Sequence, residues 1–86
     1  MKISYNYESL FRHNVSKYEV DEAYAFGKEF DLAASKSGYE RIMMVGWTAQ
    51  GRLLEIGIEY LPNDHEMIFH ANDATAAAYR KLFDRS

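Results

Sequence analysis

Along this chain the hydrophobic spacing changes twice, from helical to alternating and back to helical. Tyr7, Leu10 and Phe11 recur on one helical face and predict a short helix over Tyr5 to His13, after a ragged start or short edge strand at residues 1–4. Ser16-Lys17-Tyr18-Glu19 reads as a capping box, in which the Ser16 hydroxyl accepts from the Glu19 amide and the Glu19 carboxylate accepts from the Ser16 amide. Val15 and Val20 are placed as a hydrophobic staple around that cap. Val20, Ala23, Tyr24 and Gly27 continue one stripe, and Gly27 is a natural stop.

Beyond Glu29 the period falls to two. A weak strand over Phe30 to Ala34 runs into the polar turn Ser35-Lys36-Ser37-Gly38. Tyr39 to Thr48 reads as the next strand, and Ala49-Gln50-Gly51 as a tight hairpin loop with Gly51 in the left-handed conformation. Over Arg52 to Leu61 the alternation is clean: Leu54, Ile56, Ile58 and Tyr60 on one face, Leu53, Glu55, Gly57 and Glu59 on the other. Pairing Thr48 with Arg52 sets Met44 against Ile56, Ile42 against Ile58, and Arg41 against Glu59 as a cross-strand ion pair. Pro62-Asn63-Asp64 is a turn, and Glu66 to Ala71 a further strand. Asn72 or Asp73 is the expected cap of a last helix with Ala74, Ala77, Ala78 and Leu82 as its buried stripe. Tyr79 and Phe83 are expected to dock on the core, and Arg80, Lys81 and Arg85 to lie near the helix end, where cations suit the dipole.

Strands joined by short hairpins are antiparallel, so the expected architecture is a single α+β domain over residues 1–86. It has two N-terminal helices, a three- to four-stranded antiparallel meander, and a C-terminal helix packed on the same face, leaving the opposite face open. Composition agrees with one domain. A chain of 86 residues has material for one core, since so short a chain buries only about 60–65% of its unfolded surface. There is no cysteine, which fits a reducing cytoplasm and leaves stability to packing. The N-terminus lacks the apolar core of a secretory signal, and no run approaches the roughly 18–20 apolar residues of a membrane span. A soluble, cytoplasmic protein without membrane contact is the expectation. Ten basic against thirteen acidic residues give a net charge of −3, which weighs against nucleic acid as an obligatory partner while leaving room for a local basic patch.

Three segments resemble the BrnT-like toxins of the RelE-type fold. Phe11-Arg12-His13-Asn14-Val15-Ser16 and the acidic, aromatic helix after it are similar to that family's Lys-His-x-Val-Ser/Thr opening, with Arg12 for lysine. Trp47-Thr48-Ala49-Gln50-Gly51-Arg52-Leu53-Leu54 is similar to its Gly-Arg-Leu-Leu hairpin. Ile68-Phe69-His70-Ala71-Asn72-Asp73-Ala74-Thr75, ending at Tyr79, resembles its Ile-x-x-Ala-Arg-x-Ala-Thr. The resemblance spans about residues 11–80 and implies a type II toxin: a small, metal-independent endoribonuclease that inhibits translation and is neutralised by a cognate, DNA-binding antitoxin. In such cleavage the RNA 2′-hydroxyl attacks its own phosphate, which needs a base, an acid, and a cation for the developing charge. Where the family pattern has arginine after Ile-x-x-Ala, this chain has Asn72 and then Asp73. Asparagine cannot supply that charge, and Glu55 and Glu59 repel phosphate, which implies weak, altered or absent nuclease activity.

His70, His13, Arg52 and Arg80 are the residues expected to carry that chemistry. Each has a plainer reading. His13 at a helix junction is a phosphate contact or a ring satisfying terminal carbonyls. His70 lies on the open face beside Gly57, where the missing side chain leaves room for a ligand, provided Tyr60 pairs with Met67; a one-residue slip buries it. Arg52 and Arg41 are phosphate ligands or, respectively, a solvated hairpin residue and the partner of Glu59. Tyr79, Arg80 and Lys81 form a small site or a docking helix. No cofactor is implied, and His13, His65 and His70 are too scattered to read as a zinc site. The competing expectations are a non-catalytic binding module with Trp47 and Tyr39 as anchors, and a homodimer covering the surplus aromatics, which make up 15% of the chain.

Overall fold

The computed structural model describes residues 1–83; Arg85, expected near the end of the last helix, lies outside them. The elements are β1 (Lys2–Tyr5), α1 (Tyr7–Arg12), α2 (Lys17–Phe26), β2 (Lys28–Leu32), β3 (Arg41–Trp47), β4 (Leu53–Leu61), β5 (His65–Asp73) and α3 (Ala76–Leu82). The class is α+β, as the alternation of periods implies. The sheet has five strands in the order β1-β5-β4-β3-β2 and is mixed, not a pure meander: β1 runs parallel to β5. The first residues are thus an edge strand, made parallel because α1, α2 and three strands intervene before its partner.

Both N-terminal helices form for reasons legible in their ends. Asn6 accepts from the Ser9 amide at 3.2 Å to start α1. Asn14, at φ 54°, closes it in a Schellman arrangement: the Val15 amide donates to the Leu10 carbonyl at 2.9 Å and the Asn14 amide to the Phe11 carbonyl at 3.1 Å. Leu10 and Val15 are both core residues, so the same turn delivers the apolar contact that usually accompanies the motif. The Ser16–Glu19 capping box is present in both directions, at 3.1 and 2.9 Å. The face of α1 differs from expectation, however. Ser9 and Leu10 are buried, whereas Tyr7 and Phe11 are exposed, because the short helix meets the sheet mainly along β5.

The main core lies between α1, α2 and one sheet face, and is built from Leu10, Val15, Val20, Ala23, Ile42, Met44, Leu54, Ile56, Ile58, Ile68 and Ala71. The β3–β4 register is the expected one, with Met44 opposite Ile56 and Ile42 opposite Ile58. Arg41 faces Glu59 across it, but its guanidinium does not form the expected ion pair. Its Nε donates to the Ala33 carbonyl at 2.8 Å, and the group lies 5.4 Å over the Phe69 ring.

The β4–β5 register is a second correction. Tyr60 pairs with Glu66, not Met67, so Ile68 rather than Met67 enters the core; a bulge between Gly57 and Ile58 then sets His70 opposite Gly57 and Ala71 opposite Ile56. The bulge lets two successive residues, Phe69 and His70, stand where a regular ladder holds one. Phe69 fills the space above Gly57: a methyl group there would lie 2.6 Å from its ring. No ligand room remains at that glycine.

The third correction concerns α3. Asn72 and Asp73 end β5, and Thr75 is the cap, accepting from the Ala78 amide at 3.1 Å. The helix packs on the sheet face opposite α1 and α2. Its anchors there are Glu55, which accepts from the Thr75 amide at 2.7 Å, and Phe30, whose ring lies 5.4 Å from Lys81 Nζ. Val45 on that face and Ala78 of the helix are both buried. Ala77 is exposed, and Tyr79 and Phe83 stack on each other at 5.0 Å instead of docking. The second sheet face is therefore partly roofed and not open.

At Gly46 the backbones of α2 and β3 come close together. A methyl group on Gly46 would collide with the Ala23 carbonyl oxygen and lie 2.9 Å from the Gly27 Cα. Both obstacles are backbone and cannot swing aside. Gly46→Ala should destabilise the protein by about 2 kcal/mol in urea unfolding, within the range of core overpacking; a loss of only a few tenths would show that α2 does not sit so tightly on the sheet.

Candidate functional site

The site is organised around Arg52, which follows the β3–β4 hairpin. That hairpin closes through the Thr48 amide on the Arg52 carbonyl at 2.8 Å and the Arg52 amide on the Thr48 hydroxyl at 3.1 Å, with Gly51 at φ 85° completing the loop. The Arg52 side chain then reaches across to three other segments. Nε donates to Asp73 Oδ1 at 2.6 Å and one Nη to Asp73 Oδ2 at 3.3 Å, a two-point grip on the carboxylate. The same Nη donates to the His13 carbonyl at 3.2 Å. The other Nη serves Glu19 at 3.1 Å and the Asn14 carbonyl at 2.8 Å. Five contacts match the five N–H donors of a guanidinium, so none is left for a phosphate.

Arg52 is thus neither a solvated hairpin residue nor an available phosphate ligand. It ties together the α1–α2 junction, the first turn of α2 and the end of β5. The three stretches at Phe11–Ser16, Trp47–Leu54 and Ile68–Thr75, far apart in sequence, meet at this one side chain. The charges record the same arrangement. The hydrogen bond from Arg52 holds the Asp73 carboxyl below its usual range, and the Ser16 amide, with Arg52 assisting, does so for Glu19.

Beside the clamp two imidazoles come together. The rings of His13 and His70 stand 6.0 Å apart, edge to face. The bulge in β5 aims His70 outward, and the α1–α2 turn that Arg52 pins holds His13 in place. His70 Nε2 lies 3.6 Å from Glu55 Oε2, while Glu55 Oε1 receives the Thr75 amide, so one buried carboxylate backs the imidazole and anchors α3 at once. Asn72, opposite Glu55, holds its Oδ1 enclosed and without a hydrogen-bond partner among the described residues. His13 is not needed as a helix-end cap, since backbone amides and Arg52 already satisfy the carbonyls there.

Of the four residues expected at the site, the fold joins His13 and His70 and sets Arg52 behind them as scaffold. Arg80 is exposed on α3, and among the described residues no hydrogen bond or ion pair links it to the other three. Glu55 and Asn72 complete the constellation. Glu55 appeared in sequence only as a residue that repels phosphate, although a carboxylate on the face of an alternating strand that also carries Gly57 was a signal of something special there. His65 is elsewhere, 2.8 Å from the Ser4 hydroxyl, and no group of three metal-ligating side chains is present among the described residues. A cleft of about 350 Å³ between the start of α2 and the hairpin is lined by Ser16, Tyr18, Glu19, Glu22, Thr48 and Gln50; neither histidine lines it. Among the described residues no helix is long and apolar enough to cross a membrane.

No protein-family model, curated protein or solved structure matches the chain.

Removing the clamp takes the guanidinium partner from Asp73 and Glu19 and a donor from the His13 and Asn14 carbonyls. Arg52→Ala should cost about 2 kcal/mol or more in chemical unfolding, and Arg52→Lys should recover only part of that, because an ammonium cannot reproduce the two-point grip. The sign with pH follows from the depressed carboxyls. Their stabilisation is present above the ordinary carboxylate range and is lost as pH falls through the lowered folded values. Wild-type stability should drop on acidification below that range, and the drop should be shallower in Arg52→Ala; parallel acid curves would contradict the clamp.

Proposed function

We propose that this protein is a BrnT-like type II toxin, a metal-independent endoribonuclease held in check by a cognate antitoxin, with His13 and His70 as its acid–base pair. The observation that carries the reading is the pairing of these two imidazoles at 6.0 Å beside a carboxylate-backed strand bulge. Cleavage by that pair is balanced without a metal. A neutral imidazole takes the proton of the 2′-hydroxyl as O2′ bonds to phosphorus. The protonated imidazole gives its proton to O5′ as the P–O5′ bond breaks, leaving a 2′,3′-cyclic phosphate and a 5′-hydroxyl. The imidazolium also supplies the cation that Arg52 cannot spare and that Asn72 does not carry. Glu55, 3.6 Å from His70 Nε2, is beyond hydrogen-bond distance and favours the imidazolium through its charge. Additional support comes from the meeting of the three BrnT-like segments at Arg52, since a likeness confined to unrelated surface pieces would have no reason to converge.

Induced expression without a partner should arrest growth, and the purified protein should cut RNA in the presence of a chelator. His13→Ala and His70→Ala should each slow cleavage by about 10²-fold or more, the usual worth of a positioned acid or base. Uncut RNA from folded protein, or full activity in both variants, would overturn the assignment.

A second reading, a non-catalytic partner-binding module on the same fold, is favoured by one specific set of observations. Arg52 is saturated, position 72 is neutral, and Phe11, Phe26 and Tyr18 are 89, 85 and 80% exposed. Such flat aromatic exposure is what a protein partner, or a second copy, would cover. Intact RNA together with a stable complex with the antitoxin would select this reading over the first.

A further inference from the structure

At the other end of the sheet from the histidines, β2 is an edge strand. Among the described residues it pairs only with β3, and no strand lies along its outer side. Its two sides differ in chemistry. Phe30 and Leu32 are half-buried on the α3 side, opposite Met43 and Arg41. Glu29 and Asp31 are exposed on the α2 side, and Glu40, just before β3, is exposed as well. None of these three carboxylates forms an ion pair among the described residues.

Two further features deepen the negative field on that side. Glu66 is buried there and accepts from the Tyr24 hydroxyl at 2.8 Å. The Tyr60 hydroxyl is pushed above its usual pKa by burial and then by the charges of Glu66, Glu29 and Glu40. The last turn of α2, which runs into β2 through Gly27, carries no basic residue, and Lys28, which opens β2, lies on the other side of the strand with its Nζ 5.6 Å over the Phe30 ring.

We propose that the free edge of β2 is the docking site for an extended basic segment of a partner protein, in which lysine or arginine alternates with apolar residues, added to the sheet as a further strand. Main-chain hydrogen bonds supply the attachment in this mode, and the alternating side chains supply the selection. The cations of the incoming strand fall on the side of Glu29, Asp31 and Glu40, and its apolar residues extend the surface of Phe30 and Leu32. A second copy of this chain is the wrong occupant. An antiparallel β2–β2 pairing centred on Phe30 would set Glu29 against Asp31 twice, and like charges directly opposite are destabilising. The inference is independent of whether the histidine pair cleaves RNA.

The test uses the full chain and a synthetic peptide of about ten residues alternating lysine and valine, with a peptide of the same composition in two blocks as control. The alternating peptide should bind at least about tenfold more tightly than the block peptide, and should slow amide exchange at residues 28–32. The doubly reversed variant Glu29→Lys/Asp31→Lys alters only exposed positions. It should keep the wild-type spectrum, lose the lysine peptide and accept an alternating glutamate–valine peptide instead. Absence of binding, equal binding of the block peptide, protection elsewhere, indifference to the reversal, or self-association through β2 would each overturn the proposal.

Discussion

A single guanidinium sets the geometry on which the rest of this structure depends. Arg52 stands where the hairpin returns, and its five donors are shared among Asp73, Glu19 and the carbonyls of His13 and Asn14. Those partners belong to the end of β5, the first turn of α2 and the turn between the helices. None of these segments would be fixed relative to the others by apolar burial alone, since each meets the core only on its inner side. Arginine suits the position because its planar donors serve several acceptors at defined angles, and because it stays charged at every pH where the fold exists. A lysine would satisfy one of the three neighbours.

That arrangement has a chemical consequence. A cation so fully engaged is unavailable to a ligand, and in the proposed cleavage the positive charge would have to come from elsewhere. The contacts that engage Arg52 include the carbonyls of His13 and Asn14 and so hold the turn that carries the His13 ring, while the β5 bulge presents His70. Glu55 links this pair to α3, so the last helix, the bulged strand and the helical turn share one small polar cluster. Packing and candidate chemistry are not separate features here, and a change at the clamp is felt at the histidines.

Much of this was legible in the residues, and the parts that were not have physical reasons. The α2 cap and the β3–β4 register were readable because both are set locally, by a four-residue box and by a three-residue loop. The β5 register was not, because it depends on a bulge: Met67 and Ile68 are equally good core residues, and only the space over Gly57 that Phe69 occupies decides between them. The parallel pairing of β1 with β5 joins residues more than 60 positions apart, such as Ser4 and Met67, and four residues carry no alternation long enough to announce it. The face chosen by α3 was unreadable because its alanines give no strong stripe; the Thr75–Glu55 bond fixes it. At the candidate site, His13 and His70 were found by residue type, whereas their adjacency and the withdrawal of Arg52 into the scaffold appear only in three dimensions.

The most direct measurement of the central claim is a double-mutant cycle on unfolding free energy with Arg52→Ala and Asp73→Ala, run at neutral pH and again below the carboxylate range. A coupling of about 1 kcal/mol or more is expected at neutral pH for directly bonded charged partners, and it should fade once Asp73 is protonated. Additive losses at both pH values, within about 0.3 kcal/mol, would mean that the two residues do not hold each other and that Arg52 is free for other work.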